Sequence, residues 1–179
     1  LNIRRPLPNH IDKYARRGTE FHRWIEERYK DPQIFDDDDL DSKTNSDEET
    51  KDLPLKLLQE KWLESKWATL VPVKDGIEVP FETTVAGVLL RGRIDAVYPE
   101  GDGFTVVDWK TGKVKSGDDL ASAAIQLATY RLAYSKLYQI PIEKIGAAFH
   151  YVGDNETVRP ADLYSEAELE QLIIGAVNS

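Results

Sequence analysis

The chain has 179 residues, a formal charge of −9, no cysteine and no methionine. That length allows a single domain with a real core. The missing cysteines exclude a disulfide framework, a thiolate zinc site and a cysteine-held iron–sulfur cluster, which fits a reducing cytoplasm. No apolar run approaches 18 residues, so no membrane span is expected, and no signal-peptide pattern is present.

The charge is unevenly spread. Residues 36–49 hold eight acids and one lysine, a net of −7, which leaves −2 for the rest. This acidic, Ser/Thr/Asn-rich stretch reads as an insertion spanning about residues 31–52 rather than as packed structure. Whole-chain charge therefore carries little information about partners, and the placement of Lys and Arg matters more.

In chain order, residues 1–9 form an irregular arm containing Arg4, Arg5, Pro6 and Pro8. The spacing of Tyr14, Gly18, Phe21, Ile25 and Tyr29 predicts a helix over 11–30. His22 lies beside that apolar stripe, where a lone histidine is most often a core or boundary residue. After the insertion, Leu55, Leu58, Trp62, Leu63 and Trp67 predict a second helix over 53–68, with both tryptophans in the core. Residues 70–84 read as strand with a turn at Lys74-Asp75-Gly76. Glu78 and Glu82 fall on the face opposite Ile77, Val79 and Phe81; one of them could reach a site, although two solvated carboxylates is the simpler account.

The centre of the chain is a hairpin. One strand covers about 88–98 and contains Asp95; the other covers about 104–110 and ends Asp108-Trp109-Lys110. Between them Pro99, Gly101, Asp102 and Gly103 supply turn chemistry. With a loop over 100–103, Tyr98 faces Thr105 and Asp95 faces Asp108. Directly opposed residues have Cβ atoms roughly 4.5–5.5 Å apart, where like charges repel. A bound divalent cation would offset that repulsion. Lys110 shares a face with Asp108, because side chains alternate along a strand. A one-residue slip would send Asp95 to the other face. Spacing alone is cheap evidence, since Asp41-Ser42-Lys43, Glu49-Thr50-Lys51 and Glu64-Ser65-Lys66 repeat the acid–any–Lys triplet.

A long helix follows over 118–139, with Asp118 or Asp119 able to cap it. Gln126 and Tyr130 are four apart and share one face. Pro141 ends the helix. A strand is predicted over 145–152, a turn at Gly153-Asp154-Asn155 and a short strand over 156–159. Ser165 with Glu168 makes a capping box for a closing helix over 166–177. The expected fold is α/β: a central mixed sheet flanked by helices.

Four pieces in order carry a family resemblance: Gly18-Thr19-Glu20-Phe21-His22, Gly92-Arg93-Ile94-Asp95, Asp108-Trp109-Lys110-Thr111-Gly112 and Gln126-Leu127-Ala128-Thr129-Tyr130. Glu78-Val79-Pro80-Phe81 also looks like the segment before the first acidic motif. Together they resemble the RecB-like branch of the restriction-endonuclease-like, or PD-(D/E)XK, nuclease superfamily. The likeness is to the nuclease module at the end of bacterial UvrD/RecB-type DNA helicases. It implies a restriction-endonuclease-like core over a single nuclease domain, 1–179, cut from a longer helicase–nuclease chain that acts in DNA repair and recombination.

The resemblance also implies roles. His22, Asp95, Asp108 and the backbone carbonyl of Trp109 would hold Mg²⁺ or Mn²⁺. Asp95, Asp108, Lys110, Gln126 and Tyr130 would form the catalytic set, with DNA as substrate. The implied partners are helicase motor domains in the same polypeptide and a second helicase–nuclease subunit. A different class of function stays open: a catalytically inactive module that binds DNA or scaffolds its helicase. A fold-sharing hydrolase of another phosphodiester is a third.

Overall fold

A computed structural model describes residues 13–30, 53–114 and 117–179. The arm 1–9, the first two positions expected of the opening helix and the acidic segment 31–52 lie outside the described residues. The elements run α1 (Lys13–Lys30), α2 (Leu55–Leu63), α3 (Lys66–Thr69), β1 (Ile77–Val85), β2 (Val88–Glu100), β3 (Gly103–Lys110), α4 (Asp118–Tyr138), a 3₁₀ turn (Ile142–Lys144), β4 (Ile145–Tyr151), β5 (Glu156–Val158) and α5 (Glu166–Val177). The five strands lie in sequence order in one mixed sheet. Only β3 and β4 run parallel, with α4 as their crossover; the other neighbours are antiparallel. The expected α/β class, a mixed sheet flanked by helices, is the fold observed.

The central strands are buried on both faces, and their alternating side chains feed two cores. Val106 joins Val97, Leu127, Tyr134, Phe149 and Tyr151 on the α4 side. Val107 and Trp109 join Phe21, Ile25, Leu58, Trp62 and Trp67 on the α1–α2 side. Helix α1 buries Phe21 and Ile25, one turn apart, and forms Arg23–Glu27 and Lys30–Glu26 ion pairs one turn apart on its outer side. Such exposed pairs add only about 0.3–0.5 kcal/mol each. The seating of α1 comes from its apolar face.

The second helix breaks where one continuous element was expected. The Ser65 hydroxyl donates to the Trp62 carbonyl at 2.6 Å, taking an acceptor the helix would otherwise use for its own backbone. The break lets both Trp62 and Trp67 meet Trp109 edge-on, at ring-centroid distances of 5.9 and 6.0 Å. Aromatic pairs of this kind are worth about 0.5–1.5 kcal/mol beyond their area.

Strand β1 starts later than the apolar run suggests. Val73 and Gly76 instead hook a turn onto Val97, through Val73 N–H to Val97 O and Val97 N–H to Gly76 O. The central hairpin closes through Gly101 and Asp102 alone, so it is tighter than the four-residue loop expected, with Gly101 at φ 58°. Gly103 is required for close approach: a Cβ there would lie 1.9 Å from the Lys144 carbonyl oxygen. Helix α4 begins after Gly117 at φ 65° with no side-chain cap, and so has neither aspartate as its N-cap. At α5 the expected capping box is present, with Ser165 and Glu168 bonding reciprocally.

Candidate active site

The hairpin pairs Ala96 with Val107, Val97 with Val106 and Tyr98 with Thr105. That is the register expected from the sequence, and its next position sets Asp95 against Asp108. Both carboxylates are buried, at 6% and 4% exposure. Two groups hold them. The Trp109 backbone N–H donates to Asp95 Oδ2 at 2.7 Å, and Lys110 Nζ lies 2.6 Å from Asp108 Oδ2. The second contact is an ion pair without hydrogen-bond alignment. Lys110 also lies over the Phe149 ring, 5.7 Å from its centroid, so its stem rests on the α4-side core.

Strand β1 adds a third acid. Ile77 pairs with Ala96 and Val79 with Ile94, one continuous register that brackets Glu78 and Asp95. Yet Ile77 and Ala96 pack into the α1–α2 core, whereas Val79 and Ile94 pack into the α4 core. Residues two apart on a regular strand share a face, so both strands change faces here. The change coincides with Glu78 at φ 51°, a conformation uncommon for a non-glycine residue. Glu78 Oε1 reaches 3.5 Å from His22 Nδ1, and Asp95 Oδ1 reaches 3.4 Å from the same nitrogen. His22, Glu78 and Asp95 each offer an atom within 4.8 Å of the others'.

The protonation pattern follows from this crowding. Burial works to lower the His22 pKa, but hydrogen bonds and charge from Asp95 and Glu78 outweigh it and raise the imidazole to about 10. Burial raises the Asp108 carboxyl, reinforced by the charge of Asp95 and opposed by Lys110, to about 7. Without a metal, His22 is therefore an imidazolium clamped between two carboxylates.

Helix α4 covers the same region. Gln126 Nε2 donates to the Tyr130 hydroxyl at 2.9 Å. Burial, then the charges of Asp108 and Asp95, raise the Tyr130 pKa, so its hydroxyl stays protonated within the field of the acids. The Tyr130 ring meets Phe81 at 5.6 Å, and Phe81 lies across Gly92, where a Cβ would come within 2.9 Å of the ring. The structure thus brings His22, Asp95, Asp108, Lys110 and Tyr130 into one region. Gln126 is exposed at its edge. Trp109 contributes its backbone N–H to Asp95 and its indole to the core. Glu78 corrects the expectation of two solvated carboxylates on β1: its side chain is largely buried against His22, whereas Glu82 is exposed.

The donor set suits a hard divalent cation. Converging carboxylate oxygens with one imidazole match Mg²⁺ or Mn²⁺ chemistry. Asp95 and Asp108 are both buried, and burial, reinforced by the charge of Asp95, raises the Asp108 pKa despite Lys110. A cation between the two acids would offset their repulsion.

A mixed sheet carrying two acids and a lysine on its central hairpin, flanked by helices, defines a restriction-endonuclease-like fold. The chain belongs to the PD-(D/E)XK nuclease superfamily, whose family profile matches residues 1–177. The gene 69 protein of Mycobacterium phage L5 is 34% identical over 90 residues, covering 50% of this chain and 29% of that protein. Its counterpart from phage D29 is 35% identical over 88 residues, covering 49% and 30%. The matched stretch is thus less than a third of either phage protein. Among solved structures, a proposed exonuclease from Eubacterium rectale superposes with a TM-score of 0.57 at 15% identity, over 96% of this chain and 68% of that one. That likeness concerns the fold.

Proposed function

We propose that this nuclease domain hydrolyses DNA phosphodiester bonds with Mg²⁺ or Mn²⁺. We further assign it to the RecB-like branch, joined in a longer polypeptide to a DNA helicase that acts in repair and recombination in the cytoplasm. The observation that carries the catalytic reading is the convergence of Asp95, Asp108 and Lys110 on one end of a buried hairpin. A purely structural role has no use for two opposed buried acids. The ordered motifs from Gly18 to Tyr130 support the branch and the helicase link. No helix among the described residues is long and apolar enough to cross a membrane.

In this reading His22, Glu78, Asp95, Asp108 and the Trp109 carbonyl are the candidate ligands. Bound there, the cation would polarise a phosphoryl oxygen and lower the pKa of a bound water. Asp95 is held for this task by the Trp109 N–H. To serve as a ligand His22 would have to give up its proton, which would couple binding to pH. Lys110 supplies positive charge where negative charge builds on the phosphorus. Gln126 and Tyr130, bonded to each other, position the strand beside the scissile phosphate.

The test is cleavage of end-labelled single- and double-stranded DNA in Mg²⁺, Mn²⁺ or EDTA. Cutting that requires metal and disappears in Lys110→Met is the expected result. DNA binding by a folded chain that cuts with neither metal would support the inactive-module reading instead.

A further inference from the structure

All four tryptophans of the chain, Trp24, Trp62, Trp67 and Trp109, lie in one connected cluster. Trp109 stands at its inner end, next in sequence to Asp108 and bonded through its backbone N–H to Asp95. Its indole meets Trp62 edge-on with ring centroids 5.9 Å apart, and Trp62 meets Trp24 in the same way at 5.7 Å. Trp109 and Trp62 are buried, at 2% and 0% exposure, whereas Trp24 on α1 is half-buried. Two ring-to-ring steps therefore lead from the acids to the surface of α1.

Packing accounts for these rings but not for their nitrogens. The indole Nε1 atoms of Trp62 and Trp109 are shut off from solvent and meet no acceptor among the described residues. A buried donor left unpaired is costly, and such a group calls for a reason. An electron path supplies one. An oxidised indole with no acceptor for its N–H proton keeps its charge, and an electron from the next ring restores it. The Trp24 N–H is not among those shut in, so there the proton can leave to water.

The flanking rings are poorer resting places. Lys66 Nζ lies 4.6 Å from the Trp67 ring centre, and its charge opposes a second positive charge there. Arg28 stands over Trp24 at 6.0 Å, which favours the neutral radical at that ring once the proton has left. Tyr29 meets Trp62 at 6.3 Å, but burial raises its pKa, so it holds its proton more tightly than an ordinary phenol.

We infer that Trp24, Trp62 and Trp109 form an electron path that reduces an oxidant formed at the cation site, a hydroxyl radical from hydrogen peroxide. The inference rests on the cation site of the proposed function, since carboxylate and imidazole ligands accept Fe²⁺ as they accept Mn²⁺. One electron from Fe²⁺ splits the peroxide into hydroxide and the radical, leaving Fe³⁺. The radical takes one electron from Trp109 and becomes hydroxide. Trp62 reduces the Trp109 radical cation, and Trp24 reduces that of Trp62. Trp24 releases its indole proton to water, and a thiol in solution returns a hydrogen atom and leaves as a thiyl radical. Asp95, Asp108 and His22 are spared.

The experiment places an oxidant at the site without a metal. Gly112 is exposed, and a Cβ there meets nothing within 4 Å. The chain has no cysteine, so Gly112→Cys takes a ruthenium polypyridyl photo-oxidant at one position. After flash excitation with an oxidative quencher, paramagnetic resonance detects the radical and peptide mass spectrometry maps its trapped product. The expected product is on Trp24, lost in Trp62→Phe and retained in Trp67→Phe. Because Trp62→Phe alters a buried ring, Trp24→Phe is the second variant, and it should leave the product on Trp62 or Trp109. Product on Trp24 undiminished in folded Trp62→Phe, or product that never leaves Trp109 in the otherwise unchanged chain, would overturn the inference. With Fe²⁺ and peroxide, oxidation of His22 should rise in Trp62→Phe; equal oxidation of His22 with and without that substitution would also overturn it. Photochemical transfer to Trp24 in a chain that binds no iron would fail the cation site and not the path.

Discussion

The Trp109 backbone N–H donates to Asp95 Oδ2 at 2.7 Å, tying the acid of one hairpin strand to the backbone of the other beside Asp108. Asp95 is thus both a candidate ligand and a structural acceptor, and the two roles separate by substitution. Asp95→Asn keeps an oxygen for the N–H and removes the repulsion with Asp108. Asp95→Ala leaves the N–H buried without a partner, at a cost of about 1–3 kcal/mol. We expect neither variant to cut DNA, and urea unfolding should show Asn more stable than Ala by about that amount.

Stability of the metal-free chain should fall as pH rises. Asp108 titrates near 7 in the fold against an ordinary 3.8, so its contribution is full below about pH 4 and is lost as pH climbs through 7. His22 titrates near 10 against 6.5, so its contribution is full below about pH 6.5 and is lost through 10. Urea midpoints measured in EDTA from pH 4 to 10 should therefore decline across both windows. Asp108→Asn should flatten the lower window and His22→Gln the upper.

Glu78→Gln should weaken Mn²⁺ binding at least about tenfold while leaving the backbone unchanged, because it removes a carboxylate charge from the His22–Asp95 cluster. Manganese paramagnetic resonance measures this directly. Glu82→Gln is the matched control: Glu82 is exposed and pairs with Arg91 outside that cluster.

Gly103→Ala should destabilise the fold by about 1–3 kcal/mol or more, since the new Cβ meets backbone rather than a movable side chain. Any activity per folded molecule should survive at low temperature, because β3 still delivers Asp108 and Lys110 from its other end. Thermal unfolding and cleavage at 10 °C would check the two halves.

The hairpin was readable because Gly101, Asp102 and Gly103 restrict the turn, and the side chains from there to Asp95 and Asp108 inherit their faces from the register. The long helix and the α5 capping box were readable for similar local reasons. Glu78 was not. Alternation from Ile77 to Phe81 assumes a strand that keeps one face, and nothing in a glutamate announces φ 51°. The break at Ser65 was hidden in the same way, because apolar spacing runs straight through it. His22 alone read as packing; its contact with Asp95 arises from how α1 lies against the sheet, which local pattern does not encode.

The most direct measurement is Mn²⁺-dependent cleavage by wild type beside Asp108→Asn, with DNA binding followed in the same samples. Cutting by the wild type that stops in EDTA and in Asp108→Asn, with binding retained, is the predicted result. Equal cutting by the folded variant, or wild-type cutting that persists in EDTA, would contradict a metal site at the hairpin.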